Sequence, residues 1–168
     1  MNINTGRQDH FLPNRLLARA ASLLALACFA GVALAAEGLT AVRSPYGERE
    51  TMDRFVKVAG GAGMNIFARI DDAAGAKKVG RALRPTEVLI FGNPKGGTPL
   101  LECSQTVGID LPMKLLVWTD ESNQTWIGYN DPAWIGRRHQ VESCPVISKL
   151  SEALAKMVEG TIASSEKR

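Results

Sequence analysis

Histidine is scarce in this 168-residue chain: there are two, and only His139 lies beyond the apolar N-terminal stretch. A zinc or copper site built from several imidazoles within one chain is thereby excluded, and no metal is expected. The three cysteines form no Cys-x-x-Cys, which removes the commonest redox signature. There is no Gly-x-Ser-x-Gly elbow, His-Glu-x-x-His pair or Rossmann glycine pattern, so the common hydrolase and dinucleotide signatures are missing and no cofactor is implied. Long basic stripes with interleaved aromatics are absent as well. Lys77-Lys78 and Arg137-Arg138 are short pairs of the kind that mark solvated helix faces, so nucleic acid is not an expected partner. Internal repeats, low-complexity tracts and interdomain linkers do not occur, which leaves one domain.

The N-terminus has the pattern of a secretory leader. Arg7, Arg15 and Arg19 precede an apolar run from Ala20 to Ala36, broken only by Ser22 and Gly31, and Ala33 and Ala35 supply the small residues for a cut after Ala35. Residues 1–35 are therefore assigned to a signal peptide, 36–163 to the domain and 164–168 to a frayed tail. An uncleaved anchor is the alternative, but the run falls short of the ~20 apolar residues usual for a span. Lipid attachment at Cys28 is disfavoured by Ala25 three residues before it. Consecutive arginines are absent, so the general secretion route is favoured over the twin-arginine one. A periplasmic or secreted location follows, with no membrane contact after cleavage. Without the leader, 17 Lys and Arg face 16 Asp and Glu, so the near-neutral chain has little general affinity for polyanions. Cys103 and Cys144 remain, and an even count in an oxidising compartment favours a structural disulfide over a catalytic thiol pair.

Periodicity predicts a short strand near Leu39 to Arg43, then a helix from Glu48 to Ala59 stopped by Gly60-Gly61. Met64 to Ile70 alternates, with Met64, Ile66, Ala68 and Ile70 on one face. Asp71 and Asp72 cap an alanine-rich helix. Val88 to Phe91 is continuously apolar and reads as a central strand. A short helix is predicted from Thr98, and Leu111 to Thr119 and Thr125 to Tyr129 form a hairpin across which Trp118 and Trp126 can stack. Asp131-Pro132 opens another helix, and Pro145 to Ile162 gives an amphipathic last one. Strands mixed with helices, one clear hairpin included, give an α+β two-layer sandwich: a mixed, largely antiparallel sheet with helices packed on it.

The stretch with the strongest functional pattern runs from Pro85 to Leu101, where an apolar strand empties into Gly92-Asn93-Pro94-Lys95-Gly96-Gly97. Amide, cation and glycines near a helix N-terminus suit an anion or carboxylate, although the turn lacks the spacing of a phosphate loop. Asn93, Lys95 and Thr98, together with Tyr129, Asn130 and Asp131 at the end of another strand, form the candidate ligand site. Lys95 would supply charge, Asn93 and Asn130 amides, and Tyr129 a stacking face. The competing reading is that both asparagines only make turns. His139, with Asp131 eight residues earlier on the same helix, is the weaker catalytic candidate, since a histidine at a helix C-terminus commonly serves the helix dipole.

Several blocks in order carry a family resemblance: Ser44-Pro45-Tyr46, Phe67-Ala68-Arg69-Ile70-Asp71, Leu83-Arg84-Pro85-Thr86-Glu87, Ile90-Phe91-Gly92-Asn93-Pro94-Lys95, Gly108-Ile109-Asp110-Leu111-Pro112, Tyr129-Asn130-Asp131-Pro132 and Arg137-Arg138-His139. From Gly38 to about Gln140 the chain resembles the domain of unknown function numbered 302. Members commonly read Ile-Asp-His where this chain has Ile70-Asp71-Asp72, so any chemistry of that histidine is lost here. The resemblance implies a fold and no activity. Three functions compete: an exported module for a small polar or anionic molecule, a homodimeric structural or interaction module using a sheet edge or the surfaces of Trp118, Trp126 and Trp134, and a small enzyme using His139.

Overall fold

The computed structural model describes residues 36–163; the leader assigned to 1–35 and the tail 164–168 lie outside the described residues. Five strands form one sheet: β1 (Leu39–Arg43), β2 (Asn65–Asp71), β3 (Thr86–Gly92), β4 (Met113–Thr119) and β5 (Thr125–Asn130), in the order β1-β5-β4-β3-β2. Every ladder is antiparallel. Five helices join them: α1 (Glu48–Gly61), α2 (Asp72–Lys78), α3 (Pro94–Cys103), α4 (Pro132–Arg138) and α5 (Val146–Ile162), with a 3-10 turn at Gln105–Ile109. The architecture is the α+β two-layer sandwich that the mixed pattern requires.

Alternation sorts the sheet into two faces. Leu89, Phe91, Leu115, Val117 and Ile127 point to one side and are buried with Met52, Phe55 and Ala59 of α1 and Leu154, Met157 and Val158 of α5. Phe55 meets Phe91 edge-on, with centroids 5.2 Å apart. Val88, Ile90, Leu116, Trp118 and Trp126 point to the other side and are only partly buried. The apolar run of β3 is thus half covered rather than enclosed on both faces. Trp118 and Trp126 stack across the hairpin at 6.2 Å, and Arg43 lies over Trp126. Trp134 sits apart from them, over Gly38, where φ is +82° and any Cβ would come within 2.3 Å of the indole.

Two elements depart from the expected pattern. In β2 the register shifts between Ile66 and Ala68, so Arg69 pairs with Leu89 and Asp71 with Glu87 on the helix-bearing face, while Ala68 and Ile70 turn outward. The bulge breaks the strict alternation read along Met64 to Ile70. Helix α3 begins at Pro94 and not at Thr98, with Asn93 as N-cap, so Gly96 and Gly97 lie inside it. Gly96 serves close packing, since a Cβ there would approach Leu150 of α5 to 3.2 Å. Other local signals act as read. Asp71 accepts from the Ala74 amide and Asp131 from the Ala133 amide, while Cys103 and Cys144 are disulfide-bonded with Cα atoms 6.1 Å apart.

Candidate functional site

Antiparallel pairing brings the two turns of the sequence-derived site to one end of the sheet, since Phe91 lies opposite Met113 and Tyr129 opposite Leu115. Their polar atoms are engaged by the fold. The Asn93 side chain donates to the Gly63 carbonyl (2.6 Å) and accepts from the Lys95 amide (2.8 Å). Asp131 accepts from the Ala133 amide (3.0 Å) and the Ser151 hydroxyl (3.2 Å). Tyr129 is 7% exposed and its ring belongs to the core; burial pushes its phenol above the ordinary range, with the Asp131 charge adding to the effect. Lys95, Thr98 and Asn130 remain exposed.

His139 caps the C-terminus of α4, but its partner is not Asp131. Its Nε2 meets Asp110 at 2.7 Å and its Nδ1 meets Thr106 Oγ1 at 2.9 Å, while Arg138 donates to the other Asp110 oxygen at 2.9 Å. Eight residues along a helix separate two side chains by two turns, whereas the loop before β4 delivers Asp110 directly. The resemblance blocks at Gly108–Pro112 and Arg137–His139 are thereby clamped together.

At the opposite end of the sheet lies a cleft of about 290 Å³ lined by Glu48, Arg49, Arg69, Asp71, Ala73, Pro85, Thr86 and Glu87. It exists because the β2 bulge turns Arg69 toward the face on which Glu87, only 6% exposed, sits at the head of β3. Arg69 holds Glu87 through a two-pronged pairing and also reaches Asp53 of α1. Glu48, in the first turn of α1, lines the same cleft beside Glu87. Burial, the Glu87 carboxyl beside it and the charge of Asp71 push its carboxyl up to about 7. A broader hollow of about 480 Å³ over α1 is framed only by that helix's own charged side chains, Arg49 to Lys57, and has no second wall. No group of three or more His, Cys, Asp or Glu among the described residues is arranged to hold a metal ion.

The Glu48 proton has a thermodynamic consequence. Between its ordinary value of 4.5 and about 7 the native chain keeps a proton that the unfolded chain releases, so stability falls as pH rises through that window. After solvent screening the fall is about 1 kcal/mol. Urea unfolding on either side of the window shows it for the wild type, and Glu48→Gln flattens it.

Sequence reading missed Glu48, Arg69 and Glu87 as a set. Its available signal was the pair of charges inside two strands, Arg69 and Glu87, each ending up on the covered face. Both lie in blocks of the family resemblance, Phe67–Asp71 and Leu83–Glu87, which meet at this cleft.

Residues 40–157 match the family described as Domain of unknown function DUF302. The chain belongs to this family. An uncharacterized DUF302 protein from Bacillus stearothermophilus, known from a crystal structure, superposes with a TM-score of 0.69 at 20% identity, over 75% of this chain and 99% of that one, which shows the shared DUF302 fold. Stretches of 104 residues, 62% of this chain, are 46% identical to the proteins named fluoride-specific ion channel FluC 1 in Brucella suis and Brucella abortus. The matched stretch covers 41% and 38% of those proteins, so this chain spans about two-fifths of their length.

Proposed function

We propose that this DUF302 protein is an exported domain that binds a small polar solute bearing an amine or similar donor, and that it does so in the cleft between α1 and the ends of β2 and β3. The observation that carries the reading is the Glu48 carboxyl in a concave site beside the Arg69-held Glu87, since it offers an acceptor once its proton leaves. The turn at Asn93 and Tyr129 is the weaker candidate because its amide and carboxylate atoms are already bonded. Export draws support from the leader pattern and from the Cys103–Cys144 bond, which belongs to an oxidising compartment.

Isothermal titration with ethanolamine, putrescine and spermidine tests the site. A cationic amine competes with the Glu48 proton, so affinity rises roughly tenfold from about pH 6 to about pH 8. Glu48→Gln removes that rise and Lys95→Ala leaves it intact. Amine binding indifferent to Glu48, or anion binding lost with Lys95, moves the site back to the turns.

A second reading comes from the Brucella proteins. A stretch similar to this chain within proteins named as ion channels favours a domain that works beside a membrane protein. Co-purification of the exported chain with a channel from the same host would support it.

A further inference from the structure

Exposed apolar side chains are not spread evenly over this fold. Of the six large ones among the described residues, Ile66, Phe67, Ile70, Val79, Leu83 and Ile109, five fall between residues 66 and 83. Val79 is 75% exposed and Leu83 51%, and every residue from 77 to 85 is exposed. Lys77, Lys78, Arg81 and Arg84 are interleaved with them, and no acidic residue occurs from Ala73 to Thr86.

The geometry of the segment is fixed. The end of α2 closes with the Gly80 amide on the Lys77 carbonyl (3.1 Å) and the Arg81 amide on the Ala76 carbonyl (3.0 Å), Gly80 taking φ +72°. In this type of helix ending an apolar residue after the glycine commonly folds back on the helix, but here Arg81 holds that position and Val79 points away. Arg84 anchors the far end, donating to the Thr119 carbonyl (3.2 Å) and approaching Glu121 at 3.6 Å. Lys77, Lys78 and Arg81 are therefore displayed on an ordered turn beside two unburied apolar side chains.

We propose that this turn, residues 77–84, docks on an anionic phospholipid surface. Cations alone would serve any polyanion, but a nucleic acid would leave Val79 and Leu83 in water, whereas a bilayer pairs the cations with headgroups and takes the apolar tips below them. A second copy of the chain would have to place like charges together. The near-neutral balance of the chain beyond the leader confines the attraction to this patch. The proposal departs from the expectation of no membrane contact beyond the leader.

Co-sedimentation of the full chain with vesicles of phosphatidylcholine, alone or mixed with phosphatidylglycerol, tests it. Any contribution of the leader is common to all variants, so the comparison between them is the readout. The wild type binds the mixed vesicles more tightly, and added salt weakens the difference. The triple variant Lys77→Gln, Lys78→Gln, Arg81→Gln loses roughly a hundredfold of that binding, and the double variant Val79→Ser, Leu83→Ser loses roughly tenfold. All five positions are exposed, so unchanged circular dichroism is expected. Equal binding by wild type and both variants overturns the proposal. So does oligonucleotide binding that the triple variant loses and the double variant keeps, or a dimer that the double variant dissolves.

Discussion

Cys103→Ser lowers the unfolding free energy by about 4 kcal/mol at 25 °C, and a reductant added to the wild type does the same. The bond joins residues 41 apart in sequence, from the end of α3 to the residue before Pro145 and α5. Its loop holds the 3-10 turn, β4, β5 and α4, so reduction frees the hairpin that supplies two of the five strands to wander in the unfolded chain. Cross-linking removes that freedom from the unfolded ensemble, and the cost of losing the link grows with the logarithm of loop length. Position 103 is exposed, so serine there adds no buried polar group, and the freed Cys144 thiol, 6% exposed, remains as a small apolar side chain. Urea unfolding of oxidised wild type, reduced wild type and Cys103→Ser separates the outcomes: the last two coincide, and reductant has no effect on the variant. A reduced wild type with the oxidised midpoint would remove the disulfide from the account of stability.

What was readable in the sequence was what neighbours in sequence decide. The stripe of α5, the hairpin of β4 and β5, and the caps at Asp71 and Asp131 each depend on residues within a turn or two. Cys103 and Cys144 were legible by count alone, although not their separation in space. The start of α3 was misplaced because Gly96-Gly97 looks like a breaker. Only the contact with Leu150, far along the chain, explains why glycine is useful there. Asp131 shares a helical face with His139 but lies two turns away, too far for a direct bond, and the actual partner, Asp110, arrives from another element that spacing cannot reveal. The cleft was illegible as a site because it joins the start of α1, the end of β2 and the head of β3. Its existence rests on a one-residue bulge that shifts Arg69 from the expected outer face to the covered one.

Arg69→Met costs about 3 kcal/mol, and adding Glu87→Gln to it restores most of the loss. Glu87 is 6% exposed at the head of β3, and Arg69 is its cation: both carboxylate oxygens are held by the guanidinium, which also spans to Asp53 on α1. Removing the cation leaves a buried carboxylate with its desolvation cost and little to offset it, whereas replacing both members leaves a neutral amide beside a thioether of similar length. The asymmetry between the single and double variants is therefore the expected result, read in a double-mutant cycle by urea unfolding. A double variant no more stable than Arg69→Met would show that Arg69 acts through its packing rather than its charge. The same pair tests function apart from stability. The double variant keeps the fold but loses the acceptor that Glu48 shares, so the pH-dependent rise in amine affinity disappears with it. Retention of that rise in a stable double variant would confine the binding groups to Glu48 and Asp71 and leave the ion pair as scaffold.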